Sequence, residues 1–240
     1  MPDMVRGDGG SPIPMNQPAV QALFNQIAPH YDSLNHWLSW GQHQIWKRMV
    51  IGWVDPQPGQ IGVDLCCGTG DLTRLLAAKI GSTGQVWGID FSEPMLRVAQ
   101  RRSAHLPIRW YTGDVQQLPF ADQSVDGVTM GYGLRNVSDR HQCLREIWRV
   151  LRPAGRGAIL DFHQPSDPWL RAWQAWYLQQ VVVPVAANLG LAAEYQYLWA
   201  SLQTFPAGAQ QVQWAEACGF HACHYPIANG LMGVLVLHRP

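Results

Sequence analysis

From Ile61 onward, short apolar runs alternate with stretches whose apolar residues recur at helical spacing. Ile61–Leu65, Gln85–Asp90, Ile108–Gly113, Val125–Gly131 and Arg156–Phe162 read as strands. Between them, Asp71–Ile80 carries Leu72, Leu75 and Leu76 on one helical face, and Ser92 caps a helix running to about Ser103 with Pro94 in its first turn. Ser138–Leu151 reads as a further helix, closed by Pro153 and Gly155. Repeated βα units of this kind predict a parallel sheet with helices on both faces, an α/β doubly wound fold. Residues 16–54 have a helical pattern with Leu23, Ile27, Ile45 and Met49 among the apolar positions, and Asp55-Pro56-Gln57-Pro58-Gly59 breaks it. Residues 1–15, rich in Gly and Pro, read as a disordered tail. Residues 168–202 are helical, rich in Trp and Tyr and longer than a crossover requires, which predicts an insertion that builds a substrate pocket. A helix over Ala207–Cys218 stops at Gly219, and two strands near Ala222–Ala228 and Leu231–His238 flank Asn229-Gly230, predicting a C-terminal antiparallel hairpin. The expected organisation is a single domain over 16–240.

Composition narrows the function classes. The chain has 240 residues, 47% hydrophobic and 14% charged, with 17 Lys+Arg against 17 Asp+Glu. Nucleic-acid binders carry a basic excess or stripe, and none is present, so no nucleic-acid partner is expected. Cys66, Cys67, Cys143, Cys218 and Cys223 contain no C-x-x-C pair, so neither a zinc site nor a redox dithiol is expected. Their odd number reads as a reducing, cytoplasmic setting. The first 20 residues lack an apolar core of the signal-peptide kind, and the apolar runs 181–187 and 231–237 are too short to span a bilayer.

The candidate chemistry begins at Val63-Asp64-Leu65-Cys66-Cys67-Gly68-Thr69-Gly70-Asp71, a glycine turn between the first strand and its helix. Gly68 and Gly70 allow close approach of backbone to a ligand, and Asp90 ends the next strand about 20 residues on, where an acid receives ribose hydroxyls. The third glycine of the dinucleotide fingerprint is replaced by Thr73, and Asp71 opens the helix. A pyrophosphate there would meet the Asp71 carboxylate, with Asp64 nearby, at a cost of about 1 kcal/mol even in water. S-adenosylmethionine has no phosphate and carries a sulfonium and an ammonium, so it is the expected cofactor rather than NAD. The alternative for the two acids is that Asp71 caps the helix and Asp64 bonds backbone. Asp114 ends the third strand, where it either reaches the adenine amino group or caps a turn. Thr69, Phe91, Val115 and Gly131 complete the expected cofactor-binding set.

The runs VDLCCGTGDL, GIDFS, LPFAD, SVD and RVLRPAG resemble class I S-adenosylmethionine methyltransferases. Phe24–Asn35 with Ser39–Lys47, and Gly133-Leu134-Arg135-Asn136-Val137-Ser138-Asp139, are similar to signatures of the ubiquinone/menaquinone C-methyltransferases, the UbiE/MenG family. The likeness is strong over about 20–165 and, through LCCGTGDL and Gly81–Ser92, is greatest to the cyanobacterial and plant branch that methylates 2-phytyl-1,4-naphthoquinone on the way to phylloquinone. Gly131, Ala154 and Asp161-Phe162-His163-Gln164-Pro165 depart from the family pattern. The resemblance implies a class I, Rossmann-like methyltransferase fold, residues 16–54 as a helical lid, and a reduced prenylated naphthoquinol as substrate.

It further implies Arg135 as stabiliser of the quinol anion and Asn136 as orienter of the quinol oxygen or a water. Without the resemblance, Arg135 reads as a surface partner of Asp139. His30 and Tyr31, on the implied lid, are expected to meet the quinol hydroxyl, and His163 is either a base or a strand-end histidine. Among 12 Trp residues, Trp37, Trp40 and Trp46 in the lid and Trp169, Trp173, Trp176 and Trp199 in the insertion suit a prenyl channel or core packing. The expected partners are therefore the lipophilic quinol, a transient contact with the surface of the membrane holding it, and a second copy in a homodimer. Rival readings are a menaquinone or ubiquinone C-methyltransferase, a different small-molecule methyltransferase, an NAD(P)-dependent reductase, a cofactor-sensing module without catalysis and a nucleic-acid methyltransferase.

Overall fold

A computed structural model of the chain describes residues 17–28, 41–184 and 192–240. The expected tail, His30, Tyr31, Trp37 and Trp40 lie outside the described residues. Among the described residues, two helices lead in: α1 (Gln17–Ile27) and α2 (His43–Val54). Alternation then follows: β1 (Ile61–Leu65), α3 (Asp71–Ile80), β2 (Gln85–Asp90), α4 (Glu93–Arg102), β3 (Ile108–Thr112), β4 (Val125–Gly131), α5 (Arg140–Val150) and β5 (Leu151–Phe162). α6 (Pro168–Tyr177), a π turn (Leu178–Val182) and α7 (Ala192–Gln203) occupy the expected insertion. α8 (Gly208–Ala217), β6 (His221–Ile227) and β7 (Met232–His238) close the chain.

The seven strands form one sheet in the order β3-β2-β1-β4-β5-β7-β6. β1 to β5 are parallel, and β7 runs antiparallel to both of its neighbours. Strand order reverses between β1 and β4, and in open α/β sheets such a switch point opens a crevice at the carboxyl ends of the strands.

The two faces of the sheet differ for a reason visible in the strands. Val63, Leu65, Val128 and Met130 point to one face and bury there with Leu144 and Ile147 of α5 and Ala215 of α8. The other face of the same strands carries small residues. A Cβ at Gly62 would lie 2.5 Å from Ile80 Cδ1, one at Gly127 2.8 Å from Val54, and one at Gly131 2.8 Å from Leu72. α2 and α3 therefore lie close against the sheet, packing Val50, Ile51, Val54, Leu72 and Leu76 into a second core. α2, counted with the lid from sequence, is thus a core helix along its Val50–Val54 side. α1 instead packs beside α4, where Phe24 faces Phe91 at 6.2 Å and Ala28 joins Met95 and Val182 in a third cluster.

Two boundaries differ from expectation. β5 begins at Leu151, not Arg156: Val125 pairs with Leu151 and Gly127 with Arg156, so residues 152–155 bulge out of the ladder. Ala154, where the resembled family has Gly, takes φ 64° at this bulge. Asn229-Gly230 does not form a two-residue hairpin turn. Ile227 pairs with Met232, and Ala228, Asn229 and Gly230 all adopt positive φ in the longer connection. Among the described residues, no helix is long and apolar enough to cross a membrane.

Candidate functional site

A cavity of about 620 Å³ opens at the carboxyl ends of β1, β2, β3 and β4. Phe24, Cys66, Gly68, Asp90, Phe91, Met95, Asp114, Val115, Gln116, Gly131, Tyr132 and Asn136 are among its lining. A smaller one, about 310 Å³, shares Cys66, Gly68, Gly131 and Tyr132 with it and adds Lys47, Asp64, Thr69 and Asp71. Of the expected cofactor residues, all but Gly70 line one or both cavities. Gly70 has a packing role: at φ 82° a Cβ there would lie 2.7 Å from Trp110 and 3.2 Å from Ala99. The bend itself is tightly wound, with Cys66 (φ 49°), Gly68 (φ 53°) and Gly70 all left-handed. Across the cavity Tyr132 has φ 61°. Non-glycine residues held in this region cost of order 1 kcal/mol and gather at functional sites.

Asp90 is the fixed point of the larger cavity. Its Oδ2 accepts from Gly68 N–H and its Oδ1 from Ser92 N–H, both at 2.8 Å. Burial pushes its pKa up to about 6, against these backbone bonds. A carboxylate offers about four lone-pair positions, so acceptor capacity is left over for a ligand. Ser92 caps α4, accepting from Met95 N–H, while its own hydroxyl donates to Asn25 of α1 at 2.6 Å. Asp114 accepts from both the backbone and side-chain N–H groups of Gln116.

The acids flanking the first bend behave differently from expectation. Asp71 was expected to attract a cationic donor, but its carboxylate is saturated within the protein. Lys47 lies at 2.7 Å, Arg74 at 2.5 Å and Arg102 at 3.3 Å. Burial alone would raise the Asp71 pKa, but these cations outweigh it and hold the group at about 2. Asp64 accepts from the Thr73 hydroxyl at 2.6 Å and the Thr129 hydroxyl at 2.8 Å, and burial pushes it up to about 7. The bend therefore offers no free anion at Asp71. Around that carboxylate, three cations meet one acid, an environment suited to a ligand carboxylate beside Lys47.

A second constellation sits where β4 and β5 end. Arg135 does not pair with Asp139, which caps α5 through Gln142 N–H. It turns inward instead, where it is 8% exposed, and its guanidinium pairs with Asp161, itself 1% exposed. Asp161 also accepts from the backbone N–H of Arg135 and of Phe162. Arg135 donates to the Tyr132 carbonyl, stacks over Phe162 at 5.2 Å, and its buried Nε–H finds no partner among the described residues. Asn136 lines the cavity, donates to the Tyr132 carbonyl at 3.0 Å and accepts from the Tyr197 hydroxyl at 3.1 Å. Both ring nitrogens of His163 are engaged within the protein. Nδ1 faces the Asp161 carbonyl, and Nε2 is shared between Gln211 at 2.7 Å and His224 at 3.0 Å. Burial, then the charge of Arg135, lower its pKa against the raising effect of Asp161.

Lys47, Gln116 and Tyr197 were missed from sequence. Lys47 stood within a quoted motif, and its burial is the one signal that could have marked it: an amphipathic helix reading of α2 puts it on the same side as Val50, Ile51 and Val54. Tyr197 carries no local signal, because its partner lies 61 residues away.

Known proteins resemble this chain to different depths. The family model described as the ubiE/COQ5 methyltransferase family matches residues 13–240. A 2-phytyl-1,4-naphtoquinone methyltransferase of Trichormus variabilis is 52% identical over 225 residues, 92% of this chain and 98% of that protein. The chloroplastic 2-phytyl-1,4-beta-naphthoquinone methyltransferase of Arabidopsis thaliana is 48% identical over 224 residues, covering 90% of this chain and 86% of its own. A SAM dependent methyltransferase from Aquifex aeolicus has the same fold, with a TM-score of 0.59 at 16% identity over 81% of this chain and 89% of that one. With the class I strand order, the cavity at its switch point and a family match spanning both constellations, the chain belongs to the ubiE/COQ5 methyltransferase family.

Proposed function

We propose that this methyltransferase transfers a methyl group from S-adenosylmethionine to a ring carbon of 2-phytyl-1,4-naphthoquinol, the reduced form of the quinone. The observation that carries the reading is the placement of Asp90 and Asn136 in the lining of one cavity, with relatives of the stated names about half identical over nearly the whole chain. The cavity suits the donor: spare acceptor positions on Asp90 for a ribose diol, apolar Phe91, Met95 and Val115 for a base, and Lys47 beside the smaller lobe for a carboxylate. Bound there, S-adenosylmethionine supplies an electrophilic methyl group.

An oxidised quinone ring is electron-poor and does not attack an electrophile; a quinol does, as a phenolate oxygen pushes charge onto the ortho carbon. A free phenol ionises at about pH 10, so the protein must stabilise the anion. Arg135 is assigned to that anion, oriented by Asp161, with the unpartnered Nε–H as its spare donor. Asn136 is assigned to the quinol oxygen or a water that takes its proton. His30 and Tyr31 are assigned to the quinol hydroxyl on the family motif alone, and α1, hydrogen-bonded to Phe91 and Ser92, to the lid. Closing such a site excludes water and holds reactants at attack distance.

Methyl-labelled cofactor supplied with demethylated phytyl naphthoquinone should label the product only when a reductant is present. Equal labelling of the oxidised ring would sink the mechanism.

The prenyl tail gains about 0.8 kcal/mol per CH₂ on burial, so its resting place is a membrane. Trp169, Trp173 and Trp176 recur at i, i+4 and i+7 on α6 and are 87%, 48% and 56% exposed. That is an outward face, not the channel expected from sequence. Tryptophan settles at membrane–water interfaces, and this face is assigned to the transient membrane contact. The protein should float with quinone-bearing liposomes, and replacing all three Trp by Ala should abolish flotation while sparing turnover of a short-tailed quinol. Undiminished flotation of the triple variant would remove the face from the reading.

A further inference from the structure

We propose that Tyr197, on α7 of the insertion, is a positioning residue that locks the Asn136 carboxamide in the single orientation in which it serves the substrate. This rests on the role given above to Asn136. The two ends of a carboxamide are nearly identical in shape, so hydrogen bonding alone decides which way it faces. The Tyr132 carbonyl only accepts; the group 3.0 Å from it must be Nδ2. Oδ1 then faces the Tyr197 oxygen at 3.1 Å, and that hydroxyl must donate.

Its environment keeps the donor in place. Burial raises the Tyr197 pKa, while Arg135 and Arg140 pull the other way without reversing the shift, so the proton stays on the phenol. The helix that carries it is anchored just after the ring: Leu198 packs on the cluster of Ala28, Met95 and Val182, and Ser201 and Leu202 are buried. With both ends of the amide engaged, one Nδ2–H and one Oδ1 lone pair are left for the cavity that Asn136 lines. Without the hydroxyl, one bond holds the amide, and rotation about its last torsion scatters both groups. That hydroxyl thus hydrogen-bonds the insertion to a cavity residue 61 positions upstream.

A double-mutant cycle with Tyr197→Phe and Asn136→Ala tests this. Tyr197→Phe should lower kcat about tenfold, equivalent to about 1.4 kcal/mol, with the cofactor dissociation constant unchanged. In the Asn136→Ala background the same replacement should cost nothing further. Wild-type kcat in Tyr197→Phe, or a tenfold loss that persists without Asn136, would overturn the proposal. A readout independent of substrate is the nitrogen-15 NMR signal of the Asn136 side chain. Its two N–H protons should exchange slowly in the wild type and average toward free-amide shifts in Tyr197→Phe; an unchanged signal also overturns it. If the wild type fails to methylate the naphthoquinol, the functional reading falls and the NMR comparison still decides the role of Tyr197.

Discussion

Replacing Asp161 by Ala should destabilise the protein by about 3–5 kcal/mol, the cost of leaving a buried charge without its partner. Arg135 and Asp161 are 8% and 1% exposed, and the carboxylate satisfies two backbone N–H groups as well as the guanidinium. Urea unfolding should show a lower midpoint with an unchanged slope. Arg135→Ala should be similarly destabilised and also lose turnover by orders of magnitude. The informative variant is the double replacement Arg135→Met with Asp161→Leu. Exchanging both ions for apolar groups of like volume removes the unpaired charge, so the midpoint should recover part of its loss, falling short of the wild type because Leu accepts from neither backbone N–H. Turnover should not recover if Arg135 has the role proposed for it, because its guanidinium is then gone. A stable double variant with wild-type turnover would confine Arg135 to architecture.

Asp90→Ala should weaken cofactor binding at least about a hundredfold, since two hydrogen bonds to a charged acceptor contribute about 1.5–3 kcal/mol each. Calorimetric titration would read this directly, with Asp90→Asn falling between the two. A pH series gives a sharper test. The ionised carboxylate is the form that accepts from ligand hydroxyls, and in the free protein its pKa is raised from 3.8 to about 6. Affinity should therefore tighten as pH rises through about 6, and Asp90→Asn should flatten that dependence. Stability of the free protein runs the opposite way. A pKa raised on folding adds stability that is complete below 3.8 and lost as pH rises through about 6. Wild-type affinity that does not change between pH 5 and 7.5 would take Asp90 out of the ligand's reach.

The strands and helices of the βα units were legible because each announces itself within a few residues. Gln85–Asp90 and Val125–Gly131 fall where their apolar runs place them, and Ser92 caps α4. The place of the larger cavity was legible too, since its lining follows strand ends that the fold must bring together. Illegible were side-chain partners set by tertiary packing. Lys47 reaches Asp71 across 24 residues, and Asp161 reaches Arg135 across 26, distances over which periodicity carries no information. The charge at Asp71, visible in the letters, was misjudged for this reason: its neutralising cations come from α2 and α4 as well as from its own helix. The bulge at 152–155 and the extended connection after β6 were missed because ladder pairing, not local propensity, sets where a strand starts and how a turn closes.

α1 is tied to the domain at a telling place. Gln21 donates to the Phe91 carbonyl, Asn25 accepts from Ser92, and Phe24 leans on Phe91, so its grip falls on the two residues that follow Asp90. With the donor seated at Asp90 as proposed, its arrival and departure would bear directly on the β2–α4 corner that holds α1, without passing through the rest of the molecule.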